Sequence, residues 1–327
     1  MKTNILITGI SGQDGLYLTK NLIESKKNVN IFGLSRSIKK NLFFSKLSSI
    51  SNNLKEDKVR IFSLNYQNYD EVNNLIKNIK PDILFNMAGP SSVYKSFYNS
   101  KLYRFSIENL FENVVNSLIS DNNLCTFIQA GSSEMFDSNE VPPYNLNTKM
   151  NPRSPYAESK KALYEKVIKL RTELKWDIKN AVLFNHESEF RDENYLFQKI
   201  ILHSLNIGKN SNTKLELGSL DLARDWSYAD DIAKGLINFA FSNVKEDLIF
   251  ASGRENTIKE LVHLVSKFSG SNLFDDIQIN EHLLRAGDPI SSYADTARTS
   301  EILNWETEKS FDDLVLYCFN KQLNDKK

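Results

Sequence analysis

A tyrosine and a lysine four positions apart, Tyr156 and Lys160, stand near the middle of the chain. Residues with this spacing lie on one face of a helix, so the sequence predicts that the two side chains are neighbours. A lysine cation lowers the pKa of a nearby phenol, and the phenol can then remove a proton from a substrate hydroxyl. The spacing is common by chance, so it indicates an active site only when a cofactor loop and a suitable strand end accompany it.

A predicted strand that ends in polar residues precedes this pair. The apolar run at 127–130 is followed by Ser132, Ser133 and Glu134. Doubly wound sheets bind ligands at the carboxyl ends of their strands, so these side chains are expected to lie over the cofactor. A serine hydroxyl there can hydrogen-bond a substrate oxygen, and a carboxylate can act as a second base. The sequence therefore predicts a site with two different bases, a phenol and a carboxylate.

A glycine-rich turn near the N-terminus has the form of a dinucleotide-binding loop. Gly9, Gly12 and Gly15 follow an apolar run and open a helical segment. The chain must turn sharply there, and a pyrophosphate must approach backbone N–H groups at the helix N-terminus, so a Cβ is unfavourable. The strand, turn and helix context makes this triplet more specific than glycine spacing alone. We assign the three glycines, with Gln13 and Asp14 between them, to cofactor binding.

Arg36, at the end of the second predicted strand, indicates which dinucleotide is bound. An NAD site places an Asp or Glu about 20 residues after the glycine turn, where it binds the ribose 2′-hydroxyl. No acidic residue occurs between Glu24 and Glu56, and Arg36 stands near the place of the missing acid. A guanidinium can bind a 2′-phosphate through two hydrogen bonds. The sequence therefore favours NADP over NAD.

The elements that must position these residues alternate between strands and helices. This alternation predicts an α/β fold with a doubly wound parallel sheet, and continuous apolar strands fit a sheet covered on both faces. The predicted strands lie at 5–7, 29–34, 59–64, 83–85, 126–130 and 181–184, and the predicted helices at 15–25, 70–79, 102–119 and 154–174.

The pattern becomes less regular after about residue 185. A strand is predicted at 214–217, and helices near 195–205, 230–241, 257–268, 296–303 and 311–322. We therefore predict a cofactor-binding Rossmann domain at 1–185, to which segments at roughly 220–255 return. A smaller mixed substrate lobe is expected mainly at 186–327.

The overall composition argues against several classes of partner. Lysine plus arginine and aspartate plus glutamate both number 41, so the formal charge is zero and indicates neither nucleic acid nor an anionic membrane. Cys125 and Cys318 lie far apart and have no metal-ligand spacing, so we expect neither a disulfide framework nor a metal site. No apolar run reaches membrane-spanning length. A cytoplasmic protein is expected, with bound phosphates held by local cations.

Several sequence strings resemble those of one enzyme family. Tyr156, Lys160, the string GSSE at 131–134 and the glycine turn resemble the extended short-chain dehydrogenase/reductase family. Within it, four longer strings resemble the GDP-mannose 4,6-dehydratase family: TGISGQDG at 8–15, PRSPY at 152–156, LFNHES at 183–188 and LGSLDLARDW at 217–226. Arg285 and Asp295 keep the ten-residue spacing of another family segment. The resemblance covers nearly the whole chain.

The resemblance implies a complete reaction. In that family the tyrosine at the position of Tyr156 removes the proton of the sugar 4-hydroxyl while C4 gives hydride to NADP. Lys160 supports this tyrosine and the nicotinamide ribose, and Ser132 hydrogen-bonds the 4-oxygen. Glu134 then removes the C5 proton and helps water to leave from C6, to which the hydride returns. The implied activity is 4,6-dehydration of a GDP-sugar, with NADP regenerated in each turnover.

The resemblance also implies further binding residues. Asn65 and Ala88, after the third and fourth predicted strands, match cofactor positions. The residues that match nucleotide-sugar positions are Ser92, Ser133, Asn185, Glu187, Lys199, Arg224 and Arg285. His186 is interpreted as structural. Relatives pair the helices at 102–119 and 154–174 into a four-helix bundle, so a homodimer or homotetramer is expected.

Departures from the family pattern leave the sugar open. Ser92 stands where the family often has His, Asn65 where it usually has Asp, and Arg191 alone remains of a Pro-Arg-Arg-Gly segment. GDP-mannose and a GDP-heptose are therefore both candidate substrates. The alternative enzyme is a nucleotide-sugar 4-epimerase or 4-keto reductase, and the non-enzyme alternative is a dinucleotide-binding scaffold or sensor. Glu134 favours the dehydratase, because an epimerase needs only the tyrosine, the lysine and a hydroxyl.

Overall fold

A seven-stranded parallel sheet forms the centre of the computed structural model, which describes residues 2–37, 39–51, 53–54, 56–207, 214–284 and 287–325. With strands numbered along the chain, its members are β1 (Thr3–Thr8), β2 (Val29–Ser35), β3 (Val59–Ser63), β4 (Ile83–Asn86), β5 (Thr126–Ala130), β6 (Ile178–Leu183) and β11 (Leu248–Phe250). Their spatial order is β11-β6-β5-β4-β1-β2-β3. The chain order reverses between β1 and β4, which is where doubly wound sheets open a ligand crevice.

Helices cover both faces of this sheet. Their bounds are α1 (Gln13–Glu24), α2 (Lys40–Ser48), α3 (Tyr69–Ile79), α4 (Val93–Tyr98), α5 (Ser100–Ser120), α6 (Pro155–Leu174), α7 (Leu196–Ser204), α8 (Ala229–Ala240), α9 (Ile258–Ser269), α10 (Ala297–Leu303) and α11 (Phe311–Asp325). α1 packs against α8 on one face, and α5 packs against α3 and α6 on the other.

Alternate residues of each apolar strand pack into the cores on opposite faces of the sheet. Ile5 and Ile7 of β1 belong to the core beneath α1 and α8, whereas Leu6 belongs to the core beneath α3, α5 and α6. Successive strand side chains point to opposite faces, so a strand covered on both sides must be apolar throughout. This is why these strands appear in the sequence as continuous apolar runs.

The remaining strands form small sheets after residue 185. They are β7 (Asn185–Glu187), β8 (Leu215–Leu217), β9 (Ala223–Arg224), β10 (Trp226–Tyr228), β12 (Asn256–Thr257), β13 (Ile277–Ile279) and β14 (Ser291–Ser292). β7 pairs with β10, β9 lies between β12 and β14, and β8 pairs with β13. β7 begins directly after β6, so the chain passes from the main sheet into the first of these small sheets without a long loop.

The predicted fold class is confirmed: the structure is an α/β doubly wound parallel sheet. The predicted strands and helices are present with ends shifted by a few residues, and β6 begins three residues earlier than expected. β11 and α4 were not predicted because each is too short to show clear periodicity, and α2 was not predicted because its apolar residues are weakly segregated to one face. β11 joins the main sheet and α8 packs on α1. The domain boundary near residue 185 stays a prediction.

Within the described ranges, no helix has both the length and the hydropathy that a bilayer crossing needs. The same ranges contain no group of three or more His, Cys, Asp or Glu side chains arranged to hold a metal ion.

Candidate active site

A cavity of about 500 Å³ lies at the carboxyl ends of the central strands. Many residues from distant parts of the sequence meet there. The sequence-predicted residues that line it are Gly12, Gln13, Asp14, Ser92, Ser132, Ser133, Glu134, Tyr156, Lys160, Asn185, Glu187, Lys199 and Arg224. Arg285 lies outside the described residues. The structure thus brings the predicted bases, the glycine turn and most predicted substrate residues around one space.

The glycine turn between β1 and α1 fits a dinucleotide pyrophosphate. Gly9 has a φ of 71°, and a Cβ on it would lie 2.9 Å from the Cα of Ala88. A Cβ on Gly15 would lie 2.5 Å from the carbonyl oxygen of Ile10. α1 begins after Gly12, whose position provides no side-chain cap, so the first backbone N–H groups of the helix can bind an anion.

Arg36 lies at the far end of this cofactor crevice, just after β2, and is exposed. Its cation lies near the buried hydroxyl of Tyr66, where burial raises the pKa of the phenol and Arg36 opposes the rise. The backbone of Gly9 also opposes the rise, although no described residue lies within full hydrogen-bond geometry of the Tyr66 hydroxyl. A buried hydroxyl beside an exposed arginine, as at Tyr66 and Arg36, fits a site that binds a ribose or a phosphate. Tyr66 was not identified from the sequence.

Ala88 lies against the glycine turn, and Asn65 follows the end of β3. The side-chain oxygen of Asn65 accepts a hydrogen bond from the backbone N–H of Gln67 at 3.1 Å, so part of this amide stabilises a local turn. The backbone N–H of Ala88 donates to the Oγ1 of Thr8 at 3.1 Å, which places Ala88 against Gly9. Neither residue lines the described part of the main cavity, and their assignment to the cofactor stays a prediction.

Tyr156 and Ser132 form the centre of the predicted chemistry. Ser154 caps α6 by accepting from the backbone N–H of Ala157 at 3.1 Å, so Tyr156 sits in the first turn of the helix and faces the end of β5. Burial raises the pKa of the Tyr156 phenol, and a hydrogen bond with Ser132 acts in the opposite direction. The expectation of a lowered phenol pKa was wrong for this arrangement, because desolvation of the phenolate outweighs the nearby groups.

Lys160 is buried behind the tyrosine. Its Nζ donates to the carbonyl oxygen of Ala130 at 2.8 Å and lies 5.8 Å from the centre of the Tyr156 ring. Burial lowers the pKa of Lys160 to about 8, and Asp14 opposes the shift. The expected closeness to Tyr156 is confirmed. The ammonium group is hydrogen-bonded to the end of β5, and its lowered pKa means that it loses its proton at a lower pH than an exposed lysine does.

Glu134 lies beside the same phenol. It is the middle residue of the short 3₁₀ turn Ser133–Met135, and its backbone N–H donates to the Oγ of Ser132 at 3.3 Å. Its negative charge contributes to the raised pKa of Tyr156, so the two acid–base groups are electrostatically coupled. A carboxylate and a phenol on adjacent walls of one cavity can act on neighbouring carbons of one substrate.

The side chains of Gln13 and Asp14 form hydrogen bonds to β7 and to Ser188 just after it. Gln13 donates to the carbonyl oxygen of His186 at 3.0 Å and accepts from the Oγ of Ser188 at 2.7 Å. The carboxylate of Asp14 lies 2.9 Å from the Nε2 of His186. The Nδ1 of His186 lies 2.7 Å from the carbonyl oxygen of Phe184. The first turn of α1 is therefore tied to the strand that carries Asn185 and Glu187, and His186 has the structural contacts that its position predicted.

Arg191 is a cavity residue missing from the predicted set of binding residues. Its guanidinium lies 3.8 Å from the centre of the Tyr195 ring, and its Nε lies 3.4 Å from an oxygen of Glu187. Neither atom of that close pair has a hydrogen bond among the described residues. Burial raises the pKa of Glu187, and Arg191 opposes the rise. The signal in the sequence was the single arginine kept from a family string.

The remaining predicted substrate residues have structural partners as well. Arg224 donates to Asp288 at 2.8 Å and to the carbonyl oxygen of Pro289 at 2.9 Å. The Nζ of Lys199 donates to the carbonyl oxygen of Glu216 at 2.8 Å. Ser92 caps α4 by accepting from a backbone N–H. Both cations line the cavity, so they can hold phosphates there by exchanging or sharing these partners.

Known proteins resemble the chain in sequence and in fold. The sequence profile of the GDP-mannose 4,6 dehydratase family matches residues 6–317. GDP-mannose 4,6 dehydratase 1 of Arabidopsis thaliana is 31% identical over 325 residues, which covers 97% of this chain and 89% of the relative.

Solved structures with lower sequence identity share the fold. A dTDP-glucose 4,6-dehydratase from Streptomyces venezuelae with NAD bound superposes with a TM-score of 0.86 at 15% identity, over 99% of this chain and 98% of the other. The protein RMD from Pseudomonas aeruginosa, complexed with NADPH, gives a TM-score of 0.80 at 18% identity, over 99% and 100%. The profile match and the plant relative go further than fold, and they show that this chain belongs to the GDP-mannose 4,6-dehydratase family of short-chain dehydrogenase-type hydro-lyases.

Proposed function

We propose that the chain catalyses the NADP-dependent 4,6-dehydration of a GDP-sugar to the 4-keto-6-deoxy sugar. The observation that carries the proposal is the meeting of Ser132, Glu134, Tyr156 and Lys160 around one cavity that opens beside the glycine turn. A reductase or epimerase site needs the tyrosine, lysine and hydroxyl. The additional carboxylate supports the dehydratase, because removal of the C5 proton requires a second base.

The cofactor is held by the first turn of α1 and by Arg36. When bound, NADP supplies a hydride acceptor at the start of the turnover and a hydride donor at its end. The N–H groups at the start of α1 bind the pyrophosphate, and Lys160 binds the nicotinamide ribose. Arg36 supports NADP over NAD, because its guanidinium can pair with a 2′-phosphate. The similar folds include one with NAD and one with NADPH, so the choice depends on this local charge.

Tyr156 removes the proton of the sugar 4-hydroxyl, and Ser132 holds the 4-oxygen by a hydrogen bond. The raised pKa of Tyr156 means that the phenol must gain stabilisation when the site is filled. A positive charge close to the phenol lowers its pKa. Arg191 acts in this direction, and Lys160 is proposed to add to it from the same helix. The hydrogen bond of Ser132 adds to this effect, since it already opposes the rise in the pKa of the phenol that burial causes.

Glu134 acts after the 4-ketone has formed. The ketone makes the C5 proton acidic, and the carboxylate removes it. The same group then gives a proton to the hydroxyl that leaves C6, so one water is lost and the carboxylate is restored. Its half-buried position beside Ser132 supports this role, because the C4 oxygen and the C5 proton of one sugar can then meet adjacent walls.

The sugar nucleotide lies on the opposite wall of the cavity. Arg224 and Lys199 bind the phosphates, and Asn185 meets the diphosphate near C1. Ser92, Ser133 and Glu187 face the sugar. The cations are needed because the protein has no net charge and two phosphates must be neutralised locally. A cytoplasmic location fits a reaction that uses a nucleotide sugar and NADP.

The first test asks which nucleotide sugar loses water. The protein is incubated with GDP-, CDP-, UDP- and dTDP-sugars, and products are examined by mass spectrometry together with NADPH absorbance. We expect loss of one water from a GDP-sugar and no net change in NADPH. Stoichiometric change in NADPH without loss of water would support a reductase instead.

The second test separates the two bases. Tyr156→Phe is expected to abolish oxidation at C4, including any transient NADPH. Glu134→Gln is expected to bind the sugar and to lower water loss by about 10²–10⁴ because a positioned base is removed. Solvent deuterium exchange at C5 is the direct measurement. Full product formation and normal C5 exchange in Glu134→Gln would refute the dehydratase role of this residue.

A homodimer or homotetramer is part of the proposal. Leu102 and Phe105 on α5 are 52% and 47% exposed, and Ile168 on α6 is 37% exposed. Apolar side chains on two adjacent long helices support pairing with a second copy. Light scattering at micromolar concentration tests this, and a monomer would refute it.

A further inference from the structure

A side pocket opens from the main cavity past Glu134. Its volume is about 60 Å³. The residues that it shares with the main cavity are Val93, Ser133, Glu134, Phe184, Asn185, Arg224 and Asp288. Beyond them it has an aromatic wall and a polar wall, formed by Phe97, Phe136 and Tyr144 and by Ser138, Arg153 and Ser292. The proposed chemistry of the hexose ring does not use these six residues.

The shared residues indicate which edge of the sugar faces this pocket, given the proposed function on which this inference rests. Glu134 meets C5 and C6, and Arg224 meets the phosphates attached to C1. Tyr156 and Ser132, which meet the oxygen on C4, are absent from the described lining of the side pocket. In a pyranose, C1, the ring oxygen, C5 and C6 form one edge, whereas C2, C3 and C4 form the other. The side pocket therefore lies along the edge from which C6 projects.

The size of the pocket exceeds what a hexose needs. A water-sized group needs about 10–15 Å³ of such space, so 60 Å³ holds roughly four to six of them. A hexose places only the C6 oxygen beyond C6. A seventh carbon with its hydroxyl adds two further heavy atoms and fills more of the space.

The polar wall can recognise additional hydroxyl groups. The guanidinium of Arg153 donates to Asp137 at 3.4 Å, and this bond uses one of its five N–H donors. Ser138 and Ser292 add hydroxyls that can both donate and accept. The aromatic wall is suited to the C–H groups of a sugar chain. A hydroxylated carbon that extends from C6 therefore finds both an apolar surface and hydrogen-bond partners.

We propose that the side pocket is a subsite for a hydroxylated carbon attached to C6, so that the preferred substrate is a GDP-heptose. The proton on C5 and the hydroxyl on C6 leave together as water, as in the hexose reaction. The hydride that left C4 returns to C6, and the C7 carbon and its hydroxyl remain unchanged. No additional oxidant or reductant is needed.

The test compares two substrates that differ only by this carbon, GDP-mannose and GDP-manno-heptose. We expect kcat/KM for water loss to be at least about tenfold higher with the heptose, which is the usual gain for one well-accommodated carbon unit. Ser138→Phe fills the pocket and is expected to lower the heptose-to-mannose ratio by about tenfold or more. Ser138→Ala is the matched control, since it removes the hydroxyl without filling the space. Thermal melting and NADP binding check that both variants fold.

Each outcome separates the subsite from the proposed activity. If both sugars lose water and the hexose is used equally well or better, the subsite is refuted and the dehydratase stands. If neither sugar loses water, the dehydratase is refuted, and the two binding constants measured by calorimetry decide the subsite. Equal binding of the two sugars refutes it, and tighter binding of the heptose that Ser138→Phe removes supports it. An unchanged ratio in Ser138→Phe also refutes the assignment of this pocket.

Discussion

Asp14 raises the pKa of a buried histidine, His186. His186 contacts two groups that act only as hydrogen-bond acceptors, the carbonyl oxygen of Phe184 and the carboxylate of Asp14. With Asp14 ionised, a ring that donates to both groups carries a proton on each nitrogen, and these contacts therefore favour the imidazolium form. Burial acts to lower the pKa of His186, but the charge and hydrogen bond of Asp14 outweigh it, and the net pKa is raised. Burial likewise opposes ionisation of Asp14, yet His186 keeps the pKa of that carboxyl below its usual value.

Asp14→Asn removes the negative charge but keeps the size of the side chain. A hydrogen bond to a charged group contributes about 1.5–3 kcal/mol, and 1.36 kcal/mol corresponds to one pKa unit, so the pKa of His186 is expected to fall by about 1–2 units. The other groups near the ring do not replace the lost charge: Arg191 is a cation, and Glu187 is a buried carboxyl whose own pKa is raised.

The sign of the pH dependence should differ between the two proteins. In the wild type the raised pKa adds stability that is complete below the unfolded-state value of about 6.5 and is lost as pH rises through the folded pKa. In Asp14→Asn the effect of burial prevails and the folded pKa lies below the unfolded value. The variant should then lose stability as the pH falls below about 6.5.

Two measurements check this expectation. Imidazole resonances in NMR titrations give the pKa of His186, and urea unfolding at acidic and alkaline pH gives the stability difference. Asp221→Asn is the control, because Asp221 is an exposed aspartate away from the ring. An unchanged His186 pKa in Asp14→Asn, or the same pH dependence of unfolding in both proteins, would refute the argument.

Three further predictions follow from single side chains. Arg36→Ala should weaken NADP binding by about 1.5–3 kcal/mol and leave NAD binding nearly unchanged, and equal loss for both in fluorescence titrations would contradict the 2′-phosphate assignment. Since burial lowers the pKa of Lys160 to about 8, kcat/KM should fall as pH rises through that value. The Lys160→Arg variant should be less active, but its pH profile should lack this fall because the guanidinium stays charged. Lys179 is fully buried and donates to three backbone carbonyl oxygens, so Lys179→Met should lower the free energy of unfolding by about 3 kcal/mol, whereas the exposed Lys245→Met should change it little in urea titrations.

Local pattern was sufficient for most of the fold. The strands of the doubly wound sheet are apolar because helices cover both faces, and that requirement is visible in each run separately. Gly9, Gly12 and Gly15 could be assigned because a strand, a sharp turn and a helix follow one another within a few residues, and a pyrophosphate at that turn leaves no room for a Cβ. Tyr156 and Lys160 could be paired because helical spacing places them on one face. Each of these properties depends on residues close in the chain.

Other properties depend on contacts that no local pattern contains. Asp14 and His186 are 172 positions apart, and only the packing of α1 against β7 makes them an ion pair. Arg191 was set aside as the remnant of a string, yet the fold turns it towards Glu187 in the cavity. The pKa of Tyr156 is raised rather than lowered because the amount of water removed from the phenol is decided by every element around it.

The small strands and the side pocket also depend on contacts between segments that are distant in the chain. β7, β9 and β14 have two or three residues each, too few for periodicity to appear, and they exist only because partner strands complete their hydrogen bonds. The space beside Glu134 is bounded by residues from α4, from the segment before α6 and from β14. Residue types and spacing therefore identified the chemistry of this chain, whereas ionisation states and the shape of the substrate site arise from burial and from contacts between distant segments.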